Sequence, residues 1–96
     1  MDRKNSEYKS PIPFNAFTDF QEKAIELGWN SKVIKNEIMF KKAEKDITFR
    51  ILQDKIVVSV PLKDSDKNYA TTFSNYFEAQ EFGMMHINNA EEWINN

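Results

Sequence analysis

Cysteine is absent from the 96 residues. That excludes a disulfide framework, thiolate zinc centres and cysteine nucleophiles, and it fits a reducing compartment. Histidine occurs once, as His86, arginine only as Arg3 and Arg50, and glycine only as Gly28 and Gly83. No phosphate-cradling loop, metal-ligand set or catalytic motif stands in the chain. No apolar run approaches the roughly 20 residues of a transmembrane helix. The segment Met1–Ser10 has no apolar core of the signal-peptide kind, so a cytoplasmic protein is expected. Internal repeats and low-complexity tracts are also lacking.

What is present suits a folded domain. Hydrophobic residues make up 41% and charged residues 29%, ordinary values for a globular chain. Eight Phe, three Tyr and two Trp are a heavy aromatic load. Each buried ring removes roughly 150–250 Å² from water, so one domain can build a real core. The expected organisation is an N-terminal tail over 1–13 and a single domain over 14–96. Abundant Asn, Lys and Ile with scarce Arg is the bias of an AT-rich coding genome.

The net charge is −2 and the pI about 5.4, so no global basic field draws the chain to nucleic acid. The charge is uneven, however. From Asn30 to Lys55 seven cations face four anions, a net of +3; from Asp64 to Asn96 one cation faces six anions, a net of −5. A basic middle and an acidic end follow.

Hydrophobic periodicity predicts the elements. Phe17, Phe20, Ala24 and Leu27 form one apolar stripe of a helix over Asn15–Leu27, with Asn15 as N-cap and Gly28 as left-handed C-cap. The period then changes to two. Ile38 and Phe40, then Ile47, Phe49 and Ile51, then Ile56, Val58, Val60 and Leu62, then Tyr69, Thr71 and Phe73 mark four strands. A four-residue turn at Ala43–Asp46 sets Phe40 opposite Phe49. A tight turn at Gln53–Asp54 sets Phe49 opposite Val58. A loop over Lys63–Asn68 sets Val58 opposite Phe73. All three pairings keep the apolar residues on one face. Val33-Ile34 adds at most a short piece before the first strand.

Asn75 caps a second helix, with Glu78 completing a capping-box pattern. Tyr76, Ala79, Phe82, Gly83, Ile87, Ala90 and Ile94 mark its buried face, and the small residues at its centre permit close approach to a sheet. Asn88-Asn89 is a candidate break. The expected fold is α+β: a four-stranded antiparallel meander, order 1-2-3-4, with both helices on one face (α-β-β-β-β-α).

Candidate chemistry is thin. His86 titrates near neutrality and has the makings of a general base, but no nucleophile or orienting partner is fixed by spacing, so a structural histidine is the simpler reading. The carboxylate pairs Glu78/Glu81, Glu91/Glu92 and Asp64/Asp66 look solvated, and Asp64-Ser65-Asp66 lacks the glycine and terminal glutamate of a calcium loop. No enzyme activity, cofactor or metal is expected.

Two binding surfaces remain. On the open sheet face Arg50 is expected between Met39 and Val57, with Lys41 and Leu52 nearby, a composition common in interface hot spots. On the outer side of the last helix, Phe77, Glu81, Met84 and Met85 suit an adaptable protein contact. Together these residues predict a non-enzymatic protein-binding module whose partner is a protein or nucleoprotein complex. Size and composition suit a phage or mobile-element product, such as an anti-CRISPR-like inhibitor docking on a host nuclease or defence complex. The alternative is an accessory RNA- or single-strand-DNA-binding protein using Lys32, Lys35, Lys41, Lys42 and Lys45. The aromatics Phe40, Phe49 and Phe73 are expected on the helix-packed side, which leaves no ring on the open face for base stacking.

Overall fold

The computed structural model describes residues 17–95. The expected N-terminal tail over 1–13 and the Asn15 cap lie outside them. The elements run α1 (Thr18–Glu26), β1 (Asn30–Ile34), β2 (Glu37–Lys42), β3 (Lys45–Ile51), β4 (Ile56–Pro61), β5 (Asn68–Phe73) and α2 (Tyr76–Asn95). The class is the expected α+β, but the sheet has five strands, not four, in the order β1-β2-β3-β4-β5. All neighbours are antiparallel. The added strand is β1, and every one of its residues is exposed. It buries no apolar row, so it leaves no alternation in the sequence for periodicity to detect.

Two registers also differ from expectation. Phe40 lies opposite Ile47 and Ile38 opposite Phe49, while Val58 lies opposite Thr71 and Ile56 opposite Phe73. Each shift is two residues. The first arises because the β2–β3 turn is Ala43-Glu44 alone, with Ala43 at φ 55. A shift of two keeps every side chain on its face, so the division between core and open face survives. The β3–β4 pairing is the expected one, with Phe49 opposite Val58 and Ile51 opposite Ile56.

Both helices cover one face of the sheet. α2 lies chiefly over β4, while α1 packs against α2 and β1. The core is aromatic at its centre. The ring centroids of Phe17 and Phe20 lie 4.4 and 4.9 Å from that of Phe49, and Phe20 sits edge-on to Phe40 at 4.8 Å. Gly83 of α2 sits against this cluster. A Cβ there would stand 2.5 Å from Phe49 Cζ and 3.1 Å from Phe20, so α2 approaches as closely as it does only because position 83 has no side chain. α2 runs unbroken through Asn88-Asn89 to Asn95. Ile87 and Ala90 on either side of the pair are fully buried, and their packing holds the helix together where propensity alone is weak.

The helix ends follow from local chemistry. Asn75 Oδ1 accepts from the Glu78 backbone N–H at 2.8 Å, the expected cap of α2. At the C-terminus of α1, Gly28 has φ +90, and the N–H groups of Gly28 and Trp29 donate to Ile25 and Ala24. That is a Schellman closure. The start of α1 is different. Phe17 supplies no side-chain cap, and the Phe20 N–H donates instead to Gln80 Oε1 of α2 at 3.0 Å. One helix therefore caps the other. Gln80→Ala is expected to lower stability by about 0.5–2 kcal/mol, the ordinary effect of losing an N-cap, measured by urea denaturation.

Candidate functional site

The open sheet face carries the first predicted cluster, in altered company. Arg50 lies opposite Glu37 and Val57, and Met39 lies opposite Thr48. The expected flanking of Arg50 by Met39 is therefore replaced by an ion pair. Arg50 Nη2 and Nε donate to Glu37 Oε2 at 3.1 and 3.3 Å. Both side chains keep solvent contact, so the pair adds little stability. Glu37, Thr48, Arg50, Val57, Ser59 and Ala70 line a depression of about 230 Å³. Leu52 is exposed beyond the end of β3, and Lys41 is exposed on β2. At the other end of the face, Asn68 Nδ2 donates to Asp46 Oδ1 and Ser59 Oγ at 2.9 and 3.0 Å. The predicted residues Arg50, Val57, Met39 and Lys41 share one face, but the arginine's charge is already met.

The second cluster divides. Phe77, Glu81 and Met85 follow one another at intervals of four on α2 and are all exposed, so they form one outer stripe. Phe77 is 69% exposed and Met85 53%. Met84 does not belong with them. It is half-buried, packs against the core and, with Asp19, Glu22, Lys23 and Glu26 of α1, lines a groove of about 250 Å³. The helical periodicity of α2 puts Met84 away from the centre of its buried face. α1 covers a second side of α2, and Met84 faces that side.

The predicted cationic set divides as well. Lys42 Nζ donates to the Leu27 carbonyl and, at 2.8 Å, to Glu91 Oε2. Glu91 also accepts from Trp29 Nε1 at 2.6 Å. This knot ties the end of β2, the α1–β1 turn and α2 together. Lys45 Nζ donates to the carbonyls of Leu62 and Lys63 and stands 5.7 Å from the Trp93 ring centroid. Two of the five predicted lysines are therefore engaged in holding the fold. Lys32, Lys35 and Lys41 are exposed and, among the described residues, form no ion pair. Sequence separation hid the Lys42–Glu91 pair, because 49 positions lie between the partners.

His86 packs on the Phe82 ring at 4.4 Å, and its Nδ1 is buried with no hydrogen-bond partner. Burial lowers its pKa below the usual 6.5. The unfolded chain therefore binds the proton more readily than the folded one. The stability that neutral His86 allows is fully present above pH 6.5 and falls as pH drops through that value toward the folded pKa. Urea midpoints measured at intervals between pH 8 and pH 5 are expected to fall across that window, and His86→Phe to remove the fall. His86 therefore reads as a half-buried packing residue, and the surfaces with unmet binding capacity lie elsewhere.

The charge division is sharper in space than along the chain. Over Thr18–Leu27 three acids face one lysine, and α2 carries Glu78, Glu81, Glu91 and Glu92 with no lysine or arginine. Over residues 28–75 nine cations face six anions, a net of +3. The helix layer is acidic and the sheet layer basic. Among the described residues no helix is long and apolar enough to cross a membrane. The chain matches no protein-family model, no curated protein and no solved structure, so geometry alone carries the functional reading.

Proposed function

We propose that this protein is a non-enzymatic protein-binding module that docks through the outer stripe of α2. The observation that carries the reading is Phe77, a phenylalanine 69% exposed beside Glu81 and Met85. Moving such a ring out of water contributes roughly 1.5–3 kcal/mol, and an aromatic anchor with a pliable methionine farther along the same stripe is a composition that suits an interface. Phe77 is not among the described core residues. The acidic helix layer selects the partner: an apolar pocket rimmed by lysine and arginine. Nucleases and other proteins that handle nucleic acid present such surfaces, so an inhibitor from a phage or mobile element that occupies one is the narrower form of the proposal.

Nucleic-acid binding through the sheet is the weaker reading. Lys42 and Lys45 are committed to internal bonds, and Phe40 and Phe49 are fully buried on the opposite side. The test is stoichiometric co-purification of a partner with the wild-type chain, repeated with Phe77→Asp and with Arg50→Glu. Loss with Phe77→Asp and retention with Arg50→Glu is expected; the reverse pattern would move the interface to the sheet.

A further inference from the structure

β1 is the edge of the sheet, and its composition is one-sided. Its five residues are exposed, with Val33 61% and Ile34 47% accessible. An antiparallel ladder leaves every second N–H and C=O of an edge strand directed outward, and no described residue pairs with that side. The strand contains no proline, and its pairing with β2 is continuous from Asn30 to Ile34. From Asn30 to Asn36 the charges are Lys32 and Lys35, with no acid. The nearest acid across the ladder, Glu37, lies opposite Ile34 and is bonded to Arg50. The other edge, β5, carries no charged residue between Asn68 and Phe73, and in the loop before it Asp64 and Asp66 are balanced by Lys63 and Lys67.

We infer that β1 is a second docking edge, taking an extended segment of a partner protein in which acidic and apolar residues alternate, added as a sixth strand. Pairing supplies the outward backbone groups with partners; on the helix-packed face Val33 gains an apolar neighbour, and on the open face Lys32 meets a carboxylate, with Lys35 in the turn just beyond the strand. The same lysines disfavour a second copy of this chain. Lysine on an edge strand is the usual guard against self-pairing, and two copies joined at β1 would bring four of them together. This edge shares no residue with the α2 stripe, so either surface can fail its test without the other.

The probe is a blocked nonapeptide alternating glutamate and valine, N-methylated along one edge so that it cannot stack on itself. Titrated into the full-length chain, it is expected to shift the amide resonances of Asn30–Ile34, with half-saturation below about 1 mM. Lys32→Glu is expected to weaken it about fivefold, the scale of reversing one exposed charge, and Lys35→Glu less, because Lys35 lies in the turn beyond β1. A peptide with lysine in place of glutamate, or one methylated on both edges, is expected not to bind. The inference is overturned if the acidic peptide leaves β1 unshifted or if the doubly methylated peptide binds as well. It is also overturned if sedimentation shows that the free chain self-associates and Lys32→Glu abolishes the association, since a second copy is then the occupant.

Discussion

Gly83→Leu is expected to leave the protein unfolded or destabilised by more than about 3 kcal/mol, and Gly83→Ala to destabilise it by about 1–2 kcal/mol. Alanine would ordinarily gain about 1 kcal/mol over glycine inside a helix. Here the added Cβ stands 2.5 Å from Phe49 Cζ. The Phe49 ring has nowhere to go, because Phe17, Phe20 and Phe40 surround it. Overpacking in such a setting costs about 1–3 kcal/mol, which outweighs the propensity gain. A domain of this size holds roughly 4–12 kcal/mol in all, so leucine removes much of it. The mechanism has its own test. Phe49→Leu shortens the side chain that the new Cβ meets, so Gly83→Ala combined with Phe49→Leu should be less destabilised than the two single effects added, by about 1 kcal/mol. Strict additivity in urea denaturation would place the clash elsewhere.

Glu91→Ala is expected to cost about 2–3 kcal/mol. It removes the acceptor shared by the Lys42 ammonium and the Trp29 indole N–H, leaving Lys42 with the Leu27 carbonyl alone, and unmade bonds to charged groups are worth about 1.5–3 kcal/mol. Glu91→Gln keeps an acceptor and should lose about half as much. Burial alone would raise the Glu91 carboxyl pKa. The hydrogen bonds from Lys42, Trp29 and Asn95 and the Lys42 charge together outweigh that and hold it below 4.5. The stability linked to this ionisation is therefore present above pH 4.5 and is lost as pH falls through the folded pKa. Urea midpoints below pH 4.5 should show an acid-side loss that Glu91→Gln lacks. Equal acid sensitivity in the two proteins would assign the loss to other carboxylates.

These two features mark where sequence reasoning succeeds and stops. The alternation of Ile38, Phe40, Ile47, Phe49, Val58 and Val60 places six of the buried residues correctly, because a period of two survives any even slip of register. The slip itself comes from a turn of two residues with Ala43 in the left-handed region, a position where glycine or asparagine is the usual signal and alanine gives none. The small residues of α2 point to close packing, and Gly83 meets that expectation. A helical wheel puts Met84 outside because it assumes one covering surface, and α1 supplies a second. Lys42 and Lys45 read as free cations because their partners lie far along the chain. Phe77 and Met85 are legible from the sequence because both fall off the apolar face, and the structure leaves both exposed.

The most direct test of the binding role is the affinity of the purified partner for Phe77→Asp relative to wild type, with thermal melts run in parallel. The α2 stripe as an interface predicts a loss of at least about 30-fold, the effect of a hot spot worth 2 kcal/mol, with an unchanged melting temperature because Phe77 lies outside the core. Wild-type affinity in a folded Phe77→Asp protein would contradict it.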